Sequence, residues 1–155
     1  MRRWAYMLVL AVAAAGVAVF YGWPSNSTAV TGPGTIRITA REVSRVRFDV
    51  PPSRQRVGDT EIVRQNLFNR RIRPEPIGHS EFVCTFTTSR SRACTVTIFL
   101  PRGRLIAGGS IRYQELYELA VLGGTRLYDN ARGTLTVIRT TRRPRRHILL
   151  FRLTG

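Results

Sequence analysis

Two cysteines and two histidines are the reactive side chains to account for, and their spacing restricts what they can do. Cys84 and Cys94 have nine residues between them and no histidine pair nearby, so they lack the ligand spacing of a zinc site and no metal is expected. They sit in two alternating segments. Phe82, Cys84 and Phe86 share one face before Ser89, and Cys94, Val96 and Ile98 share one face after it. A hairpin folded about Ser89 sets Cys84 opposite Cys94, with Cα atoms roughly 4.5 Å apart, within disulfide range. In an exported domain a bond is the default, contributing roughly 2–3 kcal/mol for so short a loop. Two buried thiols, or a thiol lining a ligand pocket, are the competing readings. His79 and His147 lie far apart on strand-like segments and read as hydrogen-bonded strand residues rather than bases. No serine, histidine and acid assemble into a nucleophilic set, so no catalytic residue is assigned.

The elements that carry these side chains are strands. From Thr35 to the C-terminus no segment keeps a 3.6-residue period, while short alternation recurs between turn signals, the pattern of an all-β barrel or sandwich. Strands are expected near Thr35–Arg41, Gly58–Asn69, Gly78–Thr88, Arg92–Leu100, Arg104–Tyr113, Leu116–Leu122, Gly133–Thr140 and Arg146–Thr154. Between Arg41 and Gly58 the chain carries Val50-Pro51-Pro52-Ser53, which a strand there could enter only as an edge or near its end. Several strands are apolar on both faces, as in Ile62, Arg64, Asn66 and Phe68 against Glu61, Val63, Gln65 and Leu67. Such strands suit a filled barrel whose outer face is partly covered by another subunit, and closure removes exposed edges. The run Leu122–Gly133 joins two of them. Gly123, Gly124 and Gly133 permit close backbone approach, and Tyr128 and Ala131 can fold inward as a plug and its seat.

Ahead of this domain, Arg2 and Arg3 precede Trp4–Trp23, 20 residues without a charge. That length spans a bilayer as a helix. Residues 1–23 are therefore expected to be a signal anchor or, through small-x-small sites such as Ala13-Ala14-Ala15, a cleaved signal peptide. The arginines before the span put the following domain outside the cytoplasm. Residues 24–34 are a flexible linker rich in breakers, and residues 35–155 form the folded domain. All 25 basic residues are arginine, against 9 acids, for a net charge of +16. Most recur singly along strands, the reading of a solvated surface. Arg142, Arg143, Arg145 and Arg146 crowd what reads as a hairpin tip. Anionic lipid or wall polymer could be their partner; nucleic acid is not expected, since no recognition motif accompanies the charge and an export segment precedes the domain.

The corner also resembles a family signature. Dirigent proteins and allene oxide cyclases carry Gly-Gly-Thr/Ser-Gly-x-Phe/Tyr-x-x-Ala-x-Gly, which this chain matches at Gly123, Gly124, Thr125, Tyr128, Ala131 and Gly133, departing at Arg126 where the family usually has a third glycine. Val57-Gly58-Asp59 followed by Asn66-Leu67-Phe68 resembles a further pair of cyclase blocks, as do Cys84 and the segment Leu105–Gly109, in the same order. The resemblance implies an eight-stranded antiparallel β-barrel, usually trimeric, with a hydrophobic cavity entered at one end and no cofactor. It implies catalysis by positioning and water exclusion. By alignment the cyclases' first-strand glutamate falls at Arg37, its asparagine at Thr39, and the asparagine of their next strand near Gln65, so true allene oxide cyclase activity is not expected. The expected function is an exported or membrane-tethered barrel that binds a small hydrophobic molecule and steers its cyclisation or coupling. Its pocket candidates are Cys84, Phe86, Val96, Tyr113 and Tyr128, with Arg132 as a polar anchor for a phenolic or carboxylate oxygen and Asp59 and Asp129 as rim residues. The alternative is a non-catalytic trimeric envelope module whose arginine surface contacts anionic lipid or wall polymer.

Overall fold

Inward, mostly apolar side chains alternate with outward ones along most of the strands, and the sheet they build closes on itself. The computed structural model describes residues 34–50, 57–69, 75–112, 114–140 and 145–154. The expected membrane or signal helix at 1–23, the linker up to residue 33, Tyr113, Arg142 and Arg143 lie outside the described residues. Eight strands are formed: β1 (Gly34–Phe48), β2 (Thr60–Phe68), β3 (Gly78–Phe86), β4 (Ser91–Leu100), β5 (Gly103–Arg112), β6 (Leu116–Gly124), β7 (Arg132–Arg139) and β8 (Arg146–Thr154). Each pairs antiparallel with the next, and β8 returns to pair with β1, giving the closed antiparallel barrel that the family resemblance implied, in place of the sandwich that the strand pattern also allowed. Within the barrel, Val96, Ile98, Leu105, Leu135, Leu149 and Phe151 are 0% exposed, each burial contributing about 1.5–3 kcal/mol. Side chains fill its middle.

The expected boundaries hold to within a few residues everywhere except β1, which runs seven residues past Arg41 to Phe48. A bulge explains the difference. The register against β2 shifts between Glu42 and Ser44, leaving Val43 outside, and the residues beyond it reverse the usual pattern. Arg45 and Arg47 turn toward Glu61 and Asp59, while Val43, Val46 and Phe48 are exposed. A strand with charges aimed at its partners and apolar residues facing out does not register as alternation.

One end of the barrel is shut by the corner. Tyr128 is buried at the close of a short 3-10 turn, Arg126–Tyr128, and the backbone N–H of Ala131 donates to the Tyr128 carbonyl at 3.1 Å. Tyr128 and Ala131 both belong to the apolar core, so they act as the plug and seat. A Cβ on Gly124 would overlap the carbonyl oxygens of Tyr128 and Arg104; glycine is required there by close approach. Arg126, at the position of the family's third glycine, has φ 57°. The corner keeps the left-handed bend that glycine would supply, and an L-residue bears a strain of about 1–2 kcal/mol.

Candidate functional site

At the opposite end the polar side chains turn inward. Glu61 on β2 accepts from Arg45 Nη1 on β1 and from Arg92 Nη1 on β4, the latter at 2.5 Å. Arg45 also grips Glu42 with two parallel bonds, Nε to Oε1 at 3.0 Å and Nη2 to Oε2 at 2.7 Å, the bidentate geometry that suits guanidinium and carboxylate. Hydrogen bonding from Arg45 holds the Glu42 carboxyl below its ordinary range, and Glu42 in turn raises Arg45. Arg145 approaches Glu42 at 3.6 Å. The Arg92 guanidinium carbon lies 4.0 Å from the centre of the Phe86 ring, and that of Arg47 lies 5.2 Å away, so Phe86 serves as a cation–π platform. Arg47 also bonds Asp59 Oδ2 at 2.6 Å while Asp59 Oδ1 accepts the Val50 N–H at 2.8 Å.

Beneath this charged layer runs a neutral relay. Ser80 Oγ–H donates to Gln65 Oε1 at 3.2 Å, and the Gln65 amide nitrogen lies 2.5 Å from His147 Nδ1. Gln65 and His147 are two strands apart; on the intervening β1, Ala40 pairs with His147 and presents only a methyl group. With the amide oriented to accept from Ser80, its N–H donates to Nδ1, which assigns the imidazole proton to Nε2. His147 is 4% exposed. Burial, reinforced by the charge of Arg139, pulls its pKa from 6.5 to about 4, so the ring is neutral at pH 7. Its Nε2 is buried without a hydrogen-bond partner among the described residues, and a donor left in that state costs about 1–3 kcal/mol.

His147, Arg45, Glu61, Arg92, Tyr117 and Arg139 surround a cavity of about 20 Å³ whose remaining lining is Val63, Phe82, Cys84 and Ile111. That is room for roughly one water molecule or one ligand atom. Val63, Phe82 and Ile111 give it an apolar floor, and the other side chains give it a polar wall. A ligand's body must lie at the mouth, above the filled middle.

The residues singled out from sequence are only partly gathered here. Cys84 lines the cavity, and it is bonded to Cys94, its register partner, with Cα atoms 4.1 Å apart. Phe86 lies at the same mouth beneath Arg92. Val96 is fully enclosed in the core instead of lining the cavity, and Tyr113 is outside the described residues. Tyr128 and Arg132 are at the far, closed end. Arg132 is exposed and donates to the Leu122 and Ala131 carbonyls, so it braces the corner and anchors nothing at the mouth. Of the two rim acids, Asp59 is buried and bonded, whereas Asp129 is exposed at the corner. Arg37 points outward on β1, so the first-strand acid of the cyclases has no inward counterpart there; the inward acids are Glu42 and Glu61. Sequence reasoning missed Arg45, Glu61, Arg92, Tyr117, Arg139 and His147. The available signal was the face Glu61, Val63, Gln65 and Leu67, whose apolar members fix Glu61 and Gln65 as inward.

No protein-family model matches the sequence, and no curated protein matches it. Among solved structures it is similar to a pyocyanin demethylase, with 23% identity, a TM-score of 0.64 and coverage of 75% of this chain and 98% of that one. It is similar to the pterocarpan synthase dirigent protein GePTS1, with 14% identity, a TM-score of 0.62 and coverage of 78% and 82%. It is similar also to the Diels-Alderase AbmU from Streptomyces koyangensis, with 16% identity, a TM-score of 0.63 and coverage of 81% and 70%. The chain has the barrel fold of dirigent and cyclase-type proteins, as the corner implied.

Proposed function

We propose that the barrel binds a small hydrophobic molecule at its polar mouth and steers that molecule's cyclisation or coupling by positioning, without a cofactor. The observation that carries this reading is the convergence of a buried donor, His147, and a guanidinium–carboxylate ring on an apolar floor of Val63, Phe82 and Ile111. A few convergent polar groups on an apolar surface are the mark of a small-molecule site. The fold supports it: one structural neighbour is named a pterocarpan synthase dirigent protein and another a Diels-Alderase. The reading includes export, favoured by the disulfide, which oxidising compartments maintain, and by the uncharged run at 4–23. Self-association as a trimer would cover the exposed Val46 and Val83, which flank Ile62 in register on the outer face.

Thermal-shift measurements on the full-length chain in detergent, with phenolics, polyunsaturated fatty acids and polyketide-like compounds, test the site. Stabilising compounds should lose their effect in Val63→Trp, which fills the mouth. If no compound stabilises the protein, or the variant responds equally, the reading fails.

A second reading is favoured by the outer face of β1 and β8, where Arg37, Arg41, Arg146 and Arg152 are all exposed and Arg41 pairs with Arg146. It makes the barrel a scaffold whose arginines contact anionic lipid or wall polymer. Salt-sensitive binding to phosphatidylglycerol vesicles, unchanged in Val63→Trp, would favour it.

A further inference from the structure

We infer that His147 donates its Nε2–H to a neutral carbonyl oxygen of the bound molecule, so that the ligand class is a conjugated carbonyl compound such as an enone. The inference rests on the mouth being the small-molecule site proposed above, and it adds which atom of the ligand enters the barrel.

Three observations converge on it. The relay from Ser80 through Gln65 occupies Nδ1 and leaves a single N–H on the other side of the ring. That second nitrogen is buried, has no partner among the described residues, and belongs to a residue lining the cavity. The cavity, at about 20 Å³, admits one oxygen-sized atom. A carbonyl oxygen can occupy it as the tip of a molecule whose body rests at the mouth, supplying the acceptor that the donor lacks.

The size of the cavity, with room for one oxygen and not for the two of a carboxylate, decides between a carbonyl and a carboxylate. Glu42 and Arg45 on β1, Glu61 on β2, Arg92 on β4, Arg139 on β7 and Arg145 just before β8 surround this end. Arg45 and Arg92 already bond Glu61, and Arg45 bonds Glu42 with its remaining edge, so neither offers the free fork that a carboxylate prefers. Four guanidiniums against two carboxylates nevertheless leave the mouth positive. Such a field favours an oxygen that gains electron density as a ring closes, and it holds the imidazole neutral. His147 would therefore polarise the carbonyl through a hydrogen bond without transferring its proton.

The test uses the full-length chain, trans-chalcone as the carbonyl probe, 1,3-diphenylpropene as the probe lacking the carbonyl, and cinnamate as the anion. Nitrogen-15 NMR of the ligand-free protein at pH 7 should show His147 protonated at Nε2 only. Bound chalcone labelled at the carbonyl carbon should show a lowered C=O stretching frequency. His147→Phe should weaken chalcone about tenfold, the value of one hydrogen bond, and abolish the frequency shift, while diphenylpropene binds both proteins alike. His147→Gln, which retains an N–H donor, should restore part of the shift.

A proton on Nδ1, equal weakening of both neutral probes, or cinnamate bound more tightly than chalcone would overturn the inference. Binding lost in Val63→Trp but indifferent to His147→Phe would overturn it alone and leave the mouth site standing. If neither neutral probe binds, the inference fails; if both bind Val63→Trp normally, the mouth site falls as well.

Discussion

Acid should destabilise this barrel before its carboxylates titrate, because folding obliges His147 to remain neutral. Burial lowers the His147 pKa from 6.5 to about 4, whereas the unfolded chain takes up a proton near the ordinary value. Between those limits the unfolded state holds more protons than the folded state, so stability falls as pH drops. The contribution is present in full above about pH 6.5 and is lost progressively down to about pH 4. At 1.36 kcal/mol per unit, a gap of this size corresponds to about 3 kcal/mol, a large share of a typical domain stability of about 5–15 kcal/mol. Urea unfolding at intervals from about pH 7.5 to pH 4, followed by tryptophan-independent far-UV circular dichroism, reads it directly. Glu42, also lowered, adds its own loss as pH falls toward and through the ordinary carboxylate value of 4.5, so the upper part of the interval belongs to His147. His147→Gln should flatten the curve there. A wild-type curve already flat between about pH 6.5 and 4.5, or a variant that falls in parallel with it, would refute the buried neutral imidazole.

Three further outcomes follow from the geometry. Arg126→Gly should stabilise the protein by about 1 kcal/mol in urea titration, since glycine relieves the left-handed strain at φ 57° and gives back part of that gain as chain entropy; unchanged or reduced stability would mean the corner carries no strain there. Glu61→Ala leaves Arg45 and Arg92 facing each other around a missing acid and should cost about 3–5 kcal/mol, with part recovered when Arg92→Met is added. Breaking the Cys84–Cys94 bond, which spans a sequence separation of 10, should lower stability by about 2–3 kcal/mol in the double serine variant.

The fold was legible because the barrel's demands are local. Alternation at Phe82, Cys84 and Phe86 fixes an inward face, the turn at Ser89 fixes the β3–β4 register, and the glycines at 123, 124 and 133 fix the corner. The site was less legible, because its residues come from all eight strands and meet only when the sheet closes. Alternation put Cys84 and Phe86 on one inward face, and the family resemblance made them pocket candidates. Arg132 was assigned there because it follows a signature alanine, yet strand direction puts the start of β7 at the closed end and its finish, at Arg139, at the open one. Arginine abundance hid the rest: Arg45, Arg92 and Arg139 look like any of the 25 in the chain until burial separates the inward ones from the solvated ones. His147 read as a satisfied strand histidine, and half of that reading holds, since Nδ1 is bonded and Nε2 is not.

A barrel shaped only for stability would continue the Val63, Phe82 and Ile111 layer to its mouth. Replacing a buried ion network by apolar side chains of similar volume is often neutral or stabilising by about 1–4 kcal/mol, so Arg45, Glu61 and Arg92 contribute less to holding the fold together than their hydrogen bonds imply. Their effect is to keep the mouth polar, positive and dry enough for one buried donor to act on one atom. The quadruple variant Glu42→Gln, Arg45→Leu, Glu61→Met and Arg92→Met separates these roles, Glu42 being neutralised because Arg45 is its partner. It should unfold at the same urea concentration as wild type or a higher one, and at the same time lose binding of any compound that Val63→Trp also excludes. A quadruple variant that unfolds earlier and still binds normally would make the network a structural clamp, and the site would have to be sought elsewhere on the barrel.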